Sequence, residues 1–173
     1  MVEKIKVLII DDSRSIHKML ELFFSKHTDI ECIGAAMDPY EAAQIMKKNK
    51  PDVILLDVKM PGMDGLTFLK KLMEQHPIPV VVHSSLITKK PNIGIKALEY
   101  GAVEVIDKPV FDMNDLKESK VHEKRIVDLV RQVGKTGTKR NKIRTKSIIG
   151  IKSPEKTFEG KTNFKHLQST RQG

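Results

Sequence analysis

The stretch VILLDVKMPG, residues 53–62, runs four apolar residues into a single aspartate and then into a turn. A continuous apolar run of this kind predicts a strand that is buried on both faces, as in parallel sheets. Asp57 then lies at the carboxyl end of the strand, the edge of an open parallel sheet where ligands bind. Aspartate is also a common turn residue, so this stretch alone leaves both roles open.

Four more apolar runs predict strands, and apolar residues at helical spacing lie between them. The strands are predicted at residues 6–10, 30–36, 80–82 and 103–106, and the helices near 13–24, 38–50, 64–76, 91–100 and 112–133. Strands that alternate with helices indicate an α/β fold. We therefore predict a doubly wound five-stranded parallel sheet with right-handed crossovers and helices on both faces.

The net charge of +9 belongs entirely to the C-terminal part of the 173-residue chain. Residues 1–110 contain 15 Lys+Arg and 15 Asp+Glu, whereas residues 111–173 contain 16 and 7. From Gly134 onward the composition offers little that can be buried, which predicts a flexible basic segment. We divide the chain into a domain at 1–133 and a basic linker or tail at 134–173.

Cysteine usage and the amino terminus indicate the compartment. The single cysteine, Cys32, excludes an internal disulfide, and its strand-like surroundings indicate a buried structural thiol. The first residues lack a signal-peptide pattern, and no apolar run is long enough to span a bilayer. These features predict a cytoplasmic protein.

Polar side chains follow four of the five predicted strands. They are Asp11, Asp12, Asp57, Ser84 and Lys108. Because parallel strands end at one edge, the three carboxylates would repel one another unless a cation binds between them. Mg²⁺ prefers such oxygens, so we predict a magnesium site, with Lys108 and Ser84 placed to contact a phosphoryl group on Asp57. Each residue alone could be a helix cap, a loop hydroxyl or a surface charge; their coincidence at one edge favours the site.

These residues, together with the turn MPGMDG at 60–65 and the pair Lys108-Pro109, resemble the receiver domain of bacterial two-component response regulators. The resemblance covers residues from 5 to about 130. It implies the flavodoxin-like strand order 2-1-3-4-5. It also implies that a histidine kinase of the chemotaxis type donates a phosphoryl group to Asp57, which acts as the nucleophile.

The resemblance also implies the metal ligands and the switch. Asp12 and Asp57 would bind Mg²⁺ directly, Asp11 would act through water, and the backbone carbonyl of Lys59 would complete the protein ligands. The remaining roles fall to Lys108, which would pair with a phosphoryl oxygen, and Ser84, which would move to bond another. The family usually has an aromatic residue three positions before the lysine. Val105 stands there, which puts an aromatic rotamer switch in doubt.

Four further segments are similar to the regulatory domain of the chemotaxis protein-glutamate methylesterase. They are DPYEA at 38–42, GLTFL at 65–69, PVVVHSSL at 79–86 and ALEYGA at 97–102. That family joins a receiver to an esterase domain, but this sequence contains no G-x-S-x-G nucleophile turn. We expect the regulatory half of such an enzyme without its esterase domain, or alternatively a stand-alone phosphorelay adaptor. Self-phosphorylation and dephosphorylation are the only catalysis expected of the chain.

The sequence also bears on other partners and other classes of protein. Chemoreceptors or a methylesterase domain are further partners that the resemblance implies. Residues 134–173 show no helix-turn-helix pattern, which argues against a transcription regulator. The basic tail could touch nucleic acid or anionic lipid, but its few aromatics and lack of an amphipathic stripe favour a solvated linker. A nucleotide-binding protein is disfavoured, because phosphate loops prefer glycines to an acidic cluster.

Overall fold

The computed structural model describes residues 3–60, 62–108 and 115–148, and at Met63 and residues 137–148 it describes the backbone alone. In chain order the elements are β1 (Ile5–Ile10), α1 (Arg14–Ser25), β2 (Ile30–Ala36), α2 (Pro39–Lys48), β3 (Val53–Leu56), β4 (Lys59–Met60), β5 (Met63–Asp64), α3 (Gly65–Gln75), β6 (Val80–Ser84), α4 (Leu86–Lys89), α5 (Pro91–Glu99), β7 (Glu104–Asp107) and α6 (Leu116–Ile148). Apart from the short elements β4, β5 and α4, the alternation of strands and helices is the predicted one.

Five of the strands form one parallel sheet in the order β2-β1-β3-β6-β7. Counting only these five strands, this is the flavodoxin-like order 2-1-3-4-5 that the resemblance implied, and the predicted fold class is confirmed. All four residues of β3 are buried because helices cover both sides of the sheet. Their apolar side chains give β3 the continuous pattern that predicted it.

The sheet has two faces, because successive strand residues point to opposite sides. On the first face, Leu8 and Leu56 pack in a core that includes α2, α3 and α5. On the second face, Val7 and Leu55 pack in a core that includes α1 and α6. These two layers hold the strand ends in a fixed arrangement.

Side-chain caps begin three helices at the predicted places. Ser13, Asp38 and Asp64 each accept a hydrogen bond from a backbone N–H in the first turn of the helix that follows. Glu41 accepts a hydrogen bond at 2.8 Å from the backbone N–H of Met37, the residue before the cap, which adds a second side-chain contact at the start of α2. Helices α1 and α2 therefore begin four and three residues after the ends of β1 and β2.

The structure differs from the prediction in its short elements and in its last helix. The antiparallel pair β4–β5 and the four-residue helix α4 were not predicted, because such lengths show no periodicity. The predicted end of the last helix at Val133 is wrong, since α6 continues to Ile148. Gly134 is buried, and a Cβ there would lie 2.6 Å from Cγ2 of Ile5. Residues 112–114 and the predicted tail after Ile148 lie outside the described residues.

Two predictions from composition can be compared with the described part of the chain. Cys32 lies half-buried in β2, and burial raises the pKa of its thiol to about 11, which fits a structural thiol. No helix within residues 3–60, 62–108 and 115–148 has the length and hydropathy needed to cross a membrane.

Candidate functional site

The predicted site residues follow the carboxyl ends of the sheet strands. Register pairs Ile10 of β1 with Leu56 of β3, so the residues that follow, Asp11 and Asp57, are neighbours. The backbone N–H of Asp57 donates to the carbonyl of Ile10 at 2.9 Å, which ties the two strand ends together. Backbone pairing therefore sets the spacing of the two aspartates.

Three carboxylates converge at this edge. One oxygen from each of Asp11, Asp12 and Asp57 lies within 4.8 Å of the others. Asp11 and Asp57 are 2% and 4% exposed, and Asp12 is the more open of the three. Backbone N–H groups orient the buried pair, because Ser13 donates to Asp11 at 2.9 Å and Lys59 donates to Asp57 at 3.0 Å. The acidic cluster that the sequence predicted is present.

Lys108 partly neutralises the cluster. Its Nζ lies 2.5 Å from Oδ2 of Asp11 and 2.9 Å from Oδ2 of Asp57. Burial by itself lowers the pKa of the lysine, but the hydrogen bond to Asp11 and the two carboxylate charges outweigh burial and raise it. Lys108 therefore stays protonated as a fixed positive charge facing both buried carboxylates.

The remaining charge suits a divalent cation. Burial is the largest influence on Asp11 and raises the pKa of its carboxyl, although Lys108 acts in the opposite direction. One ammonium cannot balance three ionised carboxylates, and the buried donors are all hard oxygen atoms. Asp11, Asp12 and Asp57 therefore fit a magnesium ion.

Ser84 ends β6 at the same edge of the sheet as the carboxylates. The side chain is fully buried, and its Oγ accepts a hydrogen bond from the backbone N–H of Leu86 at 3.3 Å. The carbonyl of Ser84 accepts from the backbone N–H of Lys108 at 3.3 Å. In this conformation Ser84 therefore braces the start of α4 and the end of β7.

Three features beside the site were not predicted. Nε2 of His17 lies 2.5 Å from the carbonyl oxygen of Asp11, and a histidine on the apolar face of α1 was the available signal. Thr88 donates to the carboxylate of Asp107, a contact that depends on the unpredicted helix α4. Gly65 fits against the backbone of Val58, where a Cβ would lie 2.4 Å from Cα. Together they support the strand ends and the turn that surround the carboxylates.

Val105, where the family usually has an aromatic residue, is half-buried. It packs with the apolar core of the first face. A Cβ on Gly94 of α5 would lie 3.6 Å from Cγ1 of Val105. Val105 therefore contributes an aliphatic contact between β7 and α5 at this position.

Comparison with known proteins agrees with this geometry. A family model described as the response regulator receiver domain matches residues 7–120. The chain is 49% identical over 132 residues to a protein-glutamate methylesterase/protein-glutamine glutaminase of Oleidesulfovibrio alaskensis, an alignment that covers 76% of this chain. The same alignment covers 36% of that protein, so the chain spans little more than a third of the relative's length.

Solved structures lead to the same family. The response regulator domain of CheB from Thermotoga maritima matches with a TM-score of 0.68 and 31% identity, covering 77% of this chain and 98% of that one. A chain of the CheX–CheY–BeF₃–Mg complex from Borrelia burgdorferi matches with a TM-score of 0.57 and 31% identity, covering 69% and 89%. The resemblance noted in the sequence is confirmed. The chain belongs to the response regulator receiver family and is homologous to the regulatory domains of chemotaxis methylesterases.

Proposed function

We propose that Asp57 accepts a phosphoryl group with the help of Mg²⁺, and that the chain acts as a phosphorelay response regulator in chemotaxis-type signalling. The observation that carries the proposal is the convergence of Asp11, Asp12 and Asp57 with the Lys108 ammonium at one sheet edge. The carboxylate of Asp57 follows the most apolar strand and is oriented by the N–H of Lys59. Receiver domains generally bind Mg²⁺ at an acidic pocket of this kind.

The chemistry assigned to the chain is an in-line displacement at phosphorus. An oxygen of Asp57 forms a bond to the phosphorus of the donor, while the bond from phosphorus to the leaving group breaks and its electrons depart with that group. Bound Mg²⁺ would supply positive charge near the transferring oxygens, held by Asp11, Asp12, Asp57 and the carbonyl of Lys59. Lys108 already contacts Asp57, so it needs only a small movement to reach a phosphoryl oxygen.

Ser84 supplies the proposed conformational response. Its Oγ now contacts the backbone N–H of Leu86. We propose that the hydroxyl leaves this contact to donate to a phosphoryl oxygen on Asp57, and that the start of α4 shifts with it. The conformational change would then extend from the strand ends to the surface of the domain.

The proposed phosphoryl donor is a histidine kinase of the chemotaxis type. Receiver domains take phosphoryl groups from histidine kinases, and the methylesterases similar to this chain work in chemotaxis. We further propose that the phosphorylated receiver acts on a methylesterase domain or on chemoreceptors. Both proposals rest on the 49% identity to a methylesterase receiver region.

A small phosphodonor tests the nucleophile directly. Incubation with acetyl phosphate and Mg²⁺ should add one phosphoryl group, and borohydride trapping with mass spectrometry should locate it on Asp57. Asp57→Asn should abolish labelling, because the amide keeps the shape but is not a nucleophile. Asp107→Asn is the matched control, since Asp107 ends β7, two strands away from β3, and the change should leave labelling intact. Wild-type labelling of the Asp57→Asn protein would disprove the assignment.

Thermal unfolding tests the metal site separately. Mg²⁺ that binds only the folded chain should raise its stability, by about 2.7 kcal/mol at a free concentration one hundred times the dissociation constant. Asp12→Asn should weaken this response, because one ligand charge is lost while the buried pair remains. Identical melting curves with saturating Mg²⁺ and with chelator would contradict the magnesium proposal.

A further inference from the structure

Two buried histidines touch each other beside the proposed site. Nε2 of His83, in β6, lies 3.1 Å from Nε2 of His122, in α6. The rings are stacked at 25°, with centroids 5.3 Å apart, and the ring of Phe23 meets His122 edge-on. His83 is 1% exposed and His122 is 6% exposed. The contact is therefore shielded from water within the second face.

The two nitrogens need one proton between them. A neutral imidazole carries a single N–H, so one ring donates from Nε2 while the other accepts at Nε2 and carries its proton on Nδ1. If both Nε2 atoms carried a proton, two donors would face each other. If neither carried a proton, two lone pairs would face each other. A hydrogen bond between the two Nε2 atoms at 3.1 Å therefore requires the two rings to be in different tautomers.

The surroundings keep the pair neutral. Burial, then the neighbouring His122 and Lys108, lower the pKa of His83 to about 3. Burial, then Arg125, lower the pKa of His122 to about 4. Nearby cations thus oppose an imidazolium on either element. A shared proton, and not a charge, joins the two rings at neutral pH.

The contact connects the proposed switch to α6. His83 directly precedes Ser84, whose carbonyl accepts from the backbone N–H of Lys108. His122 lies one turn before Ile126, a fully buried residue of the second face. If the movement at Ser84 includes the backbone at the end of β6, the His83 ring must either carry His122 with it or lose the hydrogen bond.

We propose that the His83–His122 hydrogen bond is a positioning contact that couples the phosphoryl-acceptor edge to α6. The proposal rests on the proposed function at Asp57 for the signal that it transmits. A metal site is the other use of paired histidines, but among the described residues the cluster with three suitable ligands is the aspartate site. A directional bond, unlike apolar packing, has a geometry that movement of Ser84 can make or break.

Nuclear magnetic resonance of the full chain tests the contact in two stages. Nitrogen-15 shifts of the rings should show two neutral tautomers at pH 7, with opposite nitrogens protonated. Acetyl phosphate with Mg²⁺ should then shift the backbone amides of Ile126 and Val130 in the wild type. In His122→Leu these α6 shifts should fall at least about twofold while the extent of Asp57 phosphorylation is unchanged.

Controls separate the coupling from general loosening. His122→Gln can still hydrogen bond to His83, so it should restore most of the α6 response. His76→Leu removes another histidine of lowered pKa, at the end of α3, and should leave the response at the wild-type level. Unchanged α6 shifts in a folded His122→Leu protein, or two identical tautomers in the wild type, would overturn the proposal.

The outcome also separates this proposal from the proposed function. If the wild type is not phosphorylated, the proposed function fails, and the contact is judged on tautomers and on a double-mutant cycle of His83→Leu and His122→Leu. The cycle should then show a coupling of about fivefold in the unfolding equilibrium constant. Additive single variants would overturn the contact in that case.

Discussion

The two faces of the sheet are covered by helices in different ways. On the first face, α2, α3 and α5 meet the strands through an apolar core that includes Phe68 and Ile54. On the second face, α1 and α6 form an equally apolar layer and add buried polar contacts. His17 lies in α1, His122 lies in α6, and His83 contacts α6 from β6. The second face therefore combines burial with directed bonds.

Four approaches place α6 on the sheet, namely one buried hydrogen bond, two partly exposed ion pairs and one close apolar approach at a glycine. In order along the helix they join His122 to His83, Glu123 to Lys26, Arg131 to Asp29 and Gly134 to Ile5. They reach from the carboxyl end of β6 to the amino end of β1. Apolar burial is non-directional, whereas the hydrogen bond and ion pairs among these contacts add distance and angle requirements to the position of α6 on the sheet. The first face offers stability, and the second face also offers a defined geometry next to the site.

Acidification should act mainly on the second face and produces the largest expected effect. The histidine pair has folded pKa values of about 3 and about 4, against 6.5 for an unperturbed histidine. The unfolded chain therefore binds protons first, so stability is lost as the pH falls below about 6.5 and until it reaches the folded values. From pH 7 to pH 5 the pair should cost on the order of 3 kcal/mol of unfolding free energy, measured by urea denaturation.

Two variants assign that loss to the second face. His122→Gln removes one of the two titrating groups and should remove about half of the loss. His76→Gln tests the more open histidine at the end of α3, whose pKa is lowered to about 4 chiefly by burial, and should remove less. Asp11 acts in the opposite direction, because burial raises its pKa and its protonation therefore favours the folded chain as the pH falls. This contribution is present in the wild type and in both variants, so it does not affect the comparison. Equal wild-type stability at pH 7 and pH 5 would show that the pair does not stay neutral.

The strand ends could be predicted because their pattern is local. Buried parallel strands are continuous apolar runs, and the residues that follow them, such as Asp11 and Asp57, share one edge for topological reasons. The strand order itself came from the resemblance, since no local pattern distinguishes which strand lies beside which. The sheet and the acidic cluster could therefore be predicted from the sequence.

The contacts of α6 could not be predicted, because they join distant parts of the chain. His83 and His122 are 39 positions apart, and although His83 lies in the segment PVVVHSSL, nothing in that segment pairs it with His122. Gly134 begins a run of poor helix formers without periodicity, so the sequence indicated a linker. The helix continues there because a residue without a side chain fits against Ile5. Tertiary packing thus overrides local propensity on the second face.

Two helix glycines provide a matched comparison of the faces. Gly94→Ala in α5 places the new Cβ 3.6 Å from its nearest neighbour, so it should stabilise by about 0.5–1 kcal/mol through helix propensity. Gly134→Ala in α6 places Cβ 2.6 Å from Cγ2 of Ile5 and should instead destabilise by about 1 kcal/mol, because the β-branched side chain must shift. Urea denaturation of both variants measures the difference.

Truncation of Ile5 should remove the loss of stability that Gly134→Ala causes in the wild-type background. Ile5→Ala removes Cγ2, so Gly134→Ala made in that background should no longer be destabilising. If Gly134→Ala is stabilising in the wild-type background, then α6 does not pack against β1 at this position. The second face would then lack the contact between α6 and the amino end of β1.

The smallest expected effect concerns the ion pairs that hold α6 against the β2 side of the sheet. Arg131 donates to both oxygens of Asp29, at 2.7 and 2.9 Å, and the hydrogen bond from Arg131 lowers the pKa of Asp29 to about 2. Both side chains are about one-third exposed, so solvent screening limits their coupling to about 0.5–1 kcal/mol in a double-mutant cycle of Arg131→Gln and Asp29→Asn. The Lys26–Glu123 pair is the control, because Lys26 is 50% exposed and a single-point contact should couple more weakly.

The Asp29 contribution should persist above about pH 4 and be lost as the pH falls towards 2, since the folded pKa is the lower one. Equal coupling in the two pairs, or a coupling at Asp29 that 1 M salt does not reduce, would contradict the geometric account of this contact.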